Sequence, residues 1–331
     1  MAVMAGIFVS SCNQSSKPDV SHIDVAIKIE RFDKDVYAGK STGAEATNQA
    51  LEKKYGYFYD DFVNRMVGDG SYTGPEILNT LYKDKAYSDL QQETDSVFQD
   101  MSNVESELSQ AFKYIKYYCP QIKTPRLISF ISGFAVQTPI GNDYVGVGLD
   151  MFMGKESKFY RGIVQSVPTY ISRRFAPEYI VPRLTETFTR EELLPEKDTD
   201  QTLLAKMVYN GKILYFMDQV LNEQVSDTLK IGYTGNQIQW CKTYESDIWG
   251  FFLQNELLFE TDYQKIQVYL SEGPFTPGLG ERNESAPKLG IWVGWQIVRK
   301  YMEENKNISI DQLFAEQDAQ KILTLSKYKP K

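Results

Sequence analysis

After position 12 the apolar residues of this 331-residue chain occur in short, interrupted groups. None approaches the roughly 18 to 20 consecutive apolar positions that a membrane-spanning helix requires. The body of the chain must therefore bury its 42% hydrophobic residues in a water-soluble core, and the length suffices for an extensive one. The balance of 44 Asp plus Glu against 36 Lys plus Arg leaves a net charge of −8. Such a surface repels a phosphate backbone, so nucleic acid is not an expected partner. The 22 Tyr, 18 Phe and 4 Trp supply large buried area and, where exposed, rings with polar edges that suit partner surfaces.

Membrane attachment is expected from the start of the chain. Met1 to Cys12 (MAVMAGIFVSSC) is an apolar run that ends in small residues and a cysteine, which is the pattern of a secretory signal with a processing site. Val9-Ser10-Ser11-Cys12 resembles a bacterial lipobox, in which the cysteine thiol is acylated (palmitate or a similar chain) and becomes the mature N-terminus. Each buried methylene adds about 0.8 kcal/mol, so several acyl chains make release negligible. No Lys or Arg precedes the run, which implies a recorded start inside a longer precursor. Residues 1–11 are thus read as a signal segment, 12–21 as a polar tether (CNQSSKPDVS), and 22–331 as one globular domain. Cys119 and Cys241 are left as a bridge or two buried thiols; an exported protein permits either.

Periodicity places the elements. Val25 to Phe32 partly alternates and reads as an edge strand. Helical spacing covers 44–68, with a stripe of Leu51, Tyr55, Phe58 and Phe62, and 75–100, with Gly68-Asp69-Gly70 between them. Ser102-Asn103-Val104-Glu105 matches a capping box that opens a helix ending before Pro120. Arg126 to Val136 and Tyr144 to Leu149, flanking a Gly141-Asn142-Asp143 turn, are expected to form a β-hairpin. Helices are expected at 159–188 with proline interruptions, and at 200–222, 244–260 and 288–304, with a strand at Ile231 to Ile238. Ser271 to Pro287 holds three prolines and three glycines and reads as irregular. The expected class is α+β, predominantly helical with a small antiparallel sheet.

Histidine chemistry has almost nothing to work with, because the chain has one histidine, His22, beside the tether. Motifs of the HExxH, CxxC, GxGxxG and Walker types are absent. No catalytic, cofactor or metal residue is therefore assigned. Carboxylate chemistry is harder to exclude. Asp150 after the hairpin and Glu186 on the following helix are the two carboxylates to inspect, although Asp150 can equally cap a segment and Glu186 sit on a solvated face. Gly290 and Gly294, four apart after Pro287, mark a flat helix face beside Trp292 and Trp295. Glycine costs about 1 kcal/mol in a helix interior, so close packing or a groove wall is the expected compensation.

Read in order, Arg31-Phe32-Asp33, Tyr117-Tyr118-Cys119-Pro120, Ile131-Ser132-Gly133-Phe134, Gly148-Leu149-Asp150, Asn210-Gly211-Lys212, Gln239-Trp240, Ile248-Trp249, Ser285 to Gly294 and Ser326 to Pro330 resemble the GldB-type gliding-motility lipoproteins. The resemblance implies a noncatalytic role in gliding or in the linked type IX secretion machinery, with envelope protein partners. It places the domain on a bacterial membrane, inner or outer, and Asn13 after the anchor cysteine, with no dense acidic run behind it, points to a periplasmic orientation. That family is also similar to predicted zinc peptidases, which implies a degenerate zincin-like scaffold. Here the helix after the hairpin reads Phe175 to Pro182 and the later one carries Asn210 before Gly211, so the ligands zinc needs are missing. Asp150, Asn210, Trp240, Trp249, Pro287, Gly290, Trp292 and Gly294 are the candidate cleft or partner-binding residues. Three readings follow: an anchored partner-binding protein, a hydrolase of cell-wall material using Asp150 or Glu186, and a peptidase-derived cleft that captures a ligand.

Overall fold

The computed structural model describes residues 17–197, 199–280 and 284–331, so the signal segment, Cys12 and the first half of the tether (12–16) lie outside the described residues. Strand β1 (Ile29–Arg31) runs into α1 (Phe32–Gly39). It is followed by α2 (Ala44–Tyr55), α3 (Tyr57–Asp61), α4 (Gly74–Lys83), α5 (Lys85–Val97) and α6 (Ser102–Tyr118), then β2 (Arg126–Phe130) and β3 (Tyr144–Gly148). The remainder is helical: α7 (Lys158–Gly162), α8 (Thr169–Ser172), α9 (Ile180–Phe188), α10 (Leu203–Val220), α11 (Asp227–Ile231), α12 (Gly235–Thr243) and α13 (Glu245–Gln254). It closes with α14 (Tyr263–Ile266), α15 (Leu289–Glu304), α16 (Ile310–Ala315) and α17 (Ala319–Ser326). The helical majority and the small sheet are as expected.

The direction of the strands is not. β2 and β3 were expected to be antiparallel, but they pair in parallel, from Arg126 against Tyr144 to Phe130 against Gly148. β1 adds in parallel to the other side of β2, with Ile29 against Leu127. Parallel neighbours require the chain to return to the end from which it started, and residues 131–143 carry it back. Gly133 and Phe134, at φ 71° and 70°, turn the chain over the carboxyl end of the sheet. Residues 136–140 then run down the outer side of β3, where Gly146 N–H donates to Pro139 O and Gly148 N–H to Gln137 O, both at 2.8 Å. The Gly141-Asn142-Asp143 turn does reverse the chain, but the arm it joins to β3 is this short segment, bridged antiparallel from Ile140 to Val145.

Both faces of the sheet are covered, as parallel sheets require. Val145, Val147 and Leu149 point into the larger core with Leu127. On the other face Ile128, Phe130 and Tyr144 join an aromatic core built by Phe32, Tyr55, Phe58 and Phe62. Phe58 and Tyr144 meet edge to face at 5.0 Å. The alternate glycines of β3 make room for this layer: a Cβ on Gly148 would lie 2.3 Å from Val136 O.

Local signals account for several boundaries. Gly56 at φ 52° breaks the first expected helix, and Asp84 splits the second by accepting the Ala86 amide at 2.7 Å. The cap of α6 is Asp100, which accepts the Ser102 amide at 2.8 Å; the box expected at Ser102 does not form. Glu105 instead accepts the Ile29 amide at 2.9 Å and Lys28 at 2.7 Å, which blocks the open edge of β1. The strand expected at 231–238 is a helix junction. Gly232, at φ 78°, ends α11, and a Thr234–Gln237 capping box opens α12. Cys119 and Cys241 are buried and unbridged.

The larger core is organised by α10 against α15. A Cβ on Gly294 would lie 1.9 Å from Met207 O, and one on Gly211 would lie 2.2 Å from Gly294 O. Gly294→Ala is therefore expected to destabilise the full chain by about 3 kcal/mol or more through overpacking. Gly250→Ala in α13, whose nearest neighbour atom is 4.0 Å away, is expected to stabilise it by roughly 0.5–1 kcal/mol. Urea midpoints of the two variants moving the same way would contradict this assignment of the crossing.

Candidate functional site

Asp150 follows β3 in a single helical turn, Leu149–Met151, beneath α5. It is fully buried. The left-handed turn at Gly133 and Phe134 aims amides at it: Oδ2 accepts from Phe134 N at 2.7 Å and from Ser132 N at 3.2 Å. Burial pushes its carboxyl up to about 6, against the pull of the Phe134, Ser132 and Gly133 amides. Oδ1 has no hydrogen-bond partner, and neither do the two side-chain polar atoms of the fully buried Gln91 on α5. Asp33, after the carboxyl end of β1, is also buried, and accepts from Ser129 Oγ and from Arg31 Nη2, each at 2.6 Å. These carboxylates tie the strand ends to the helices around them.

Glu186 lies on α9 in an interior ion lattice. Arg183 binds its Oε2, and Arg190 Nη2 reaches its Oε1 at 3.1 Å and Asn210 Oδ1 at 2.7 Å. Asn210 in turn donates to Lys206 O at 2.8 Å. Burial alone would raise the Glu186 carboxyl, but Arg183, Arg190 and Lys288 bring it down to about 2. A carboxylate held so low and occupied by two guanidiniums neither donates nor relays protons near neutral pH. Lys288, at the start of α15 with φ 44°, pairs at 2.5 Å with Glu272, which Arg174 also binds at 2.8 Å. Among the described residues no three His, Cys, Asp or Glu side chains are grouped as metal ligands.

The remaining candidates separate into interior and surface. Pro287, Gly290, Trp292 and Gly294 are all buried, and Pro287 O accepts the Tyr233 hydroxyl. The glycine pair therefore belongs to the helix crossing and does not wall a groove. Trp249 meets Tyr328 edge to face at 5.3 Å, with the Tyr328 hydroxyl 2.8 Å from Glu245. Trp240 meets Tyr244 at 5.1 Å with the rings tilted by 40°, and it does line an open cleft of about 470 Å³, beside Asp247, Leu279 and Gly280. A larger open cleft, about 930 Å³, was not anticipated from the sequence. It is lined by Tyr57, Tyr59 and Tyr72, of which Tyr57 and Tyr72 are each 61% exposed. The one available signal was that Tyr57 falls off the buried Tyr55, Phe58, Phe62 stripe.

Residues 13–330 match the sequence profile of a family described as gliding motility protein GldB. The chain belongs to the GldB family. No curated protein and no solved structure matches it. The GldB match spans the buried Asp33 and Asp150 and the half-buried Glu186 and Asn210, so these polar groups lie within the matched region.

Two variants separate the roles of these carboxylates. Asp150 has a folded pKa of about 6, above its ordinary 3.8, so its stabilising protonated state is complete below about pH 4 and is lost as pH rises through 6. That loss amounts to roughly 3 kcal/mol by pH 7. Asp150→Asn keeps an oxygen for the two amides. Relative to the parent, its urea midpoint is expected to gain progressively between pH 4 and pH 7. An offset independent of pH would contradict burial as the cause. Glu186 is the opposite case: its stabilisation is present above about pH 4.5 and is lost as pH falls toward 2. Glu186→Gln leaves two half-buried guanidiniums uncompensated and is expected to cost about 1–3 kcal/mol at pH 7, less in acid. A variant as stable as the parent at pH 7 would show that the lattice contributes little.

Proposed function

We propose that the chain is a lipid-anchored protein of the bacterial envelope that serves gliding motility, or the linked type IX secretion machinery, by binding partner proteins. The match of residues 13–330 to the GldB family carries this reading. Cys12 stands directly before the matched span and is the proposed lipid site, with the domain on the periplasmic side. No helix among the described residues is long and apolar enough to cross a membrane, so attachment through a lipid fits the rest of the chain.

A noncatalytic role is supported by the state of the two carboxylates that a cell-wall hydrolase would use. Asp150 is sealed inside, and Glu186 is bound by Arg183 and Arg190. Neither lines the clefts around Trp240 or Tyr57. The reading as a peptidase scaffold without its metal ligands rests on the sequence resemblance, together with the placement of Arg190 between Glu186 and Asn210. Exposed tyrosines supply the rigid amphipathic contact area that partner surfaces favour.

The test is metabolic labelling with a palmitate analogue, followed by fractionation of cells producing the parent or Cys12→Ala. The parent is expected to be labelled and membrane-bound, and the variant unlabelled and released. An unlabelled parent removes the anchor. For the noncatalytic part, the purified full chain is expected to leave casein peptides intact, and stoichiometric zinc together with cleavage would replace this reading by an enzyme.

A further inference from the structure

The short segment beside β3 leaves a sheet edge open. Residues 137, 139 and 141 turn their backbone groups toward β3 through Gln137 O, Pro139 O and the Gly141 amide. The chain bends at Gln137 and Thr138, yet its bonds to β3 come from alternate residues, so the amides and carbonyls of Thr138 and Ile140 between them are turned away from β3. None of these four groups has a hydrogen-bond partner among the described residues. Pro139 removes a donor only on the β3 side and leaves the outward donors intact. Elsewhere the protein covers such an edge, as Glu105 and Ser109 do beside β1. Here the edge lines a cleft of about 790 Å³.

The walls of that cleft come from the two sides of the sheet. One is the α3 side, with Asp60 and Asp61, whose helix packs into the aromatic core. The other is the π-helical continuation of α9, Thr189–Leu193, with Glu191 and Glu192, whose helix packs into the larger core. Side chains of a strand added to this edge would alternate between these walls. The cleft thus presents carboxylates to both sets of side chains, and Arg65, its one lining cation, is already paired with Asp61 at 3.0 Å. Asp60, Glu191 and Glu192 have no ion-pair partner among the described residues. Tyr57 and Asp60 also line the tyrosine cleft, which makes the two concavities continuous.

We infer that this cleft binds an extended basic segment of a partner protein, which adds as a strand to the Thr138–Ile140 edge with its lysines or arginines on the two acidic walls. Main-chain hydrogen bonds supply the register and the flanking carboxylates supply the selectivity, as in other strand-addition sites. The inference rests on the reading of the chain as a partner-binding protein and names the chemistry of the partner.

The experiment uses the full chain in detergent micelles and a fluorescent peptide of alternating lysine and valine, scored by anisotropy. Controls are the same peptide N-methylated at alternate amides, in both registers, and a glutamate–valine peptide. Saturable binding of the lysine peptide is expected. At least one N-methylated register should bind about tenfold more weakly or worse, and the glutamate peptide should not bind. Combined Asp60→Asn, Glu191→Gln and Glu192→Gln substitutions, on exposed side chains, should weaken binding about tenfold and flatten its salt dependence. Equal binding of lysine and glutamate peptides, equal binding of parent and both N-methylated forms, or no binding of the lysine peptide overturns the inference. If the lysine peptide fails while the anchored chain still crosslinks to an envelope partner, the cleft is rejected and the partner-binding reading stands.

Discussion

The backbones of α10 and α15 touch at Gly211 and Gly294, and much of the larger core depends on that approach. With α15 drawn so close, Trp295 is fully buried yet reaches Asp218 on α10 at 2.9 Å through its indole nitrogen. Arg299, one turn further on, lies 3.7 Å over the Trp295 ring and closes the same carboxylate with Asp227. A methyl group at Gly294 would displace the α10 backbone and not merely a flexible side chain, because the atom it meets is Met207 O. The cost of two glycines in helix interiors is offset by interhelical packing that no larger residue permits.

The interior charges fit the same architecture. α9 packs against α10, and Glu186 meets Asn210 through Arg190. Lys288 opens α15 and faces Glu272, which also holds Arg174. Buried Asp33, Arg174 and Lys288 each have an opposite charge in contact, as burial of ions demands, whereas buried Lys212 donates to the backbone oxygen of Glu316. Asp150 and Gln91 depart from that pattern, since polar atoms of both are buried without partners. They mark the junction of α5 with the carboxyl end of β3 as the least satisfied polar region described.

How legible these features were depended on how local their causes are. The helices at 102–118, 203–220, 245–254 and 289–304 were readable because apolar spacing, capping residues and prolines act over a few positions. The Gly141-Asn142-Asp143 turn was readable for the same reason. Which arm it served was not, since Arg126 to Val136 was long and apolar enough to look like its partner. In fact Phe130 packs on the distant Phe58 and Phe62. Ile231 to Ile238, with Ile231, Tyr233, Thr234 and Ile238, misled because its β-prone residues outweighed two stronger local cues, Gly232 as a helix stop and Thr234 as a cap. Glu186 was legible as a residue to inspect. Its pairing with Arg183 and Arg190 is local, three and four positions away, but the added influence of Lys288, about a hundred positions along, was not legible.

By itself the sequence determined where the longest helices lie, that one histidine stands in the whole chain, and that Gly290 and Gly294 share a helix face. Tertiary structure alone decided that this face is closed by α10, that the strands run parallel, and that Asp150 is sealed while Tyr57 is exposed. It also decided that the outward groups of Thr138 and Ile140 remain open between two acidic walls. The first set follows from forces between residues three or four apart, or from composition. The second follows from pairings between segments far apart in the chain, whose energies depend on which surfaces are already covered.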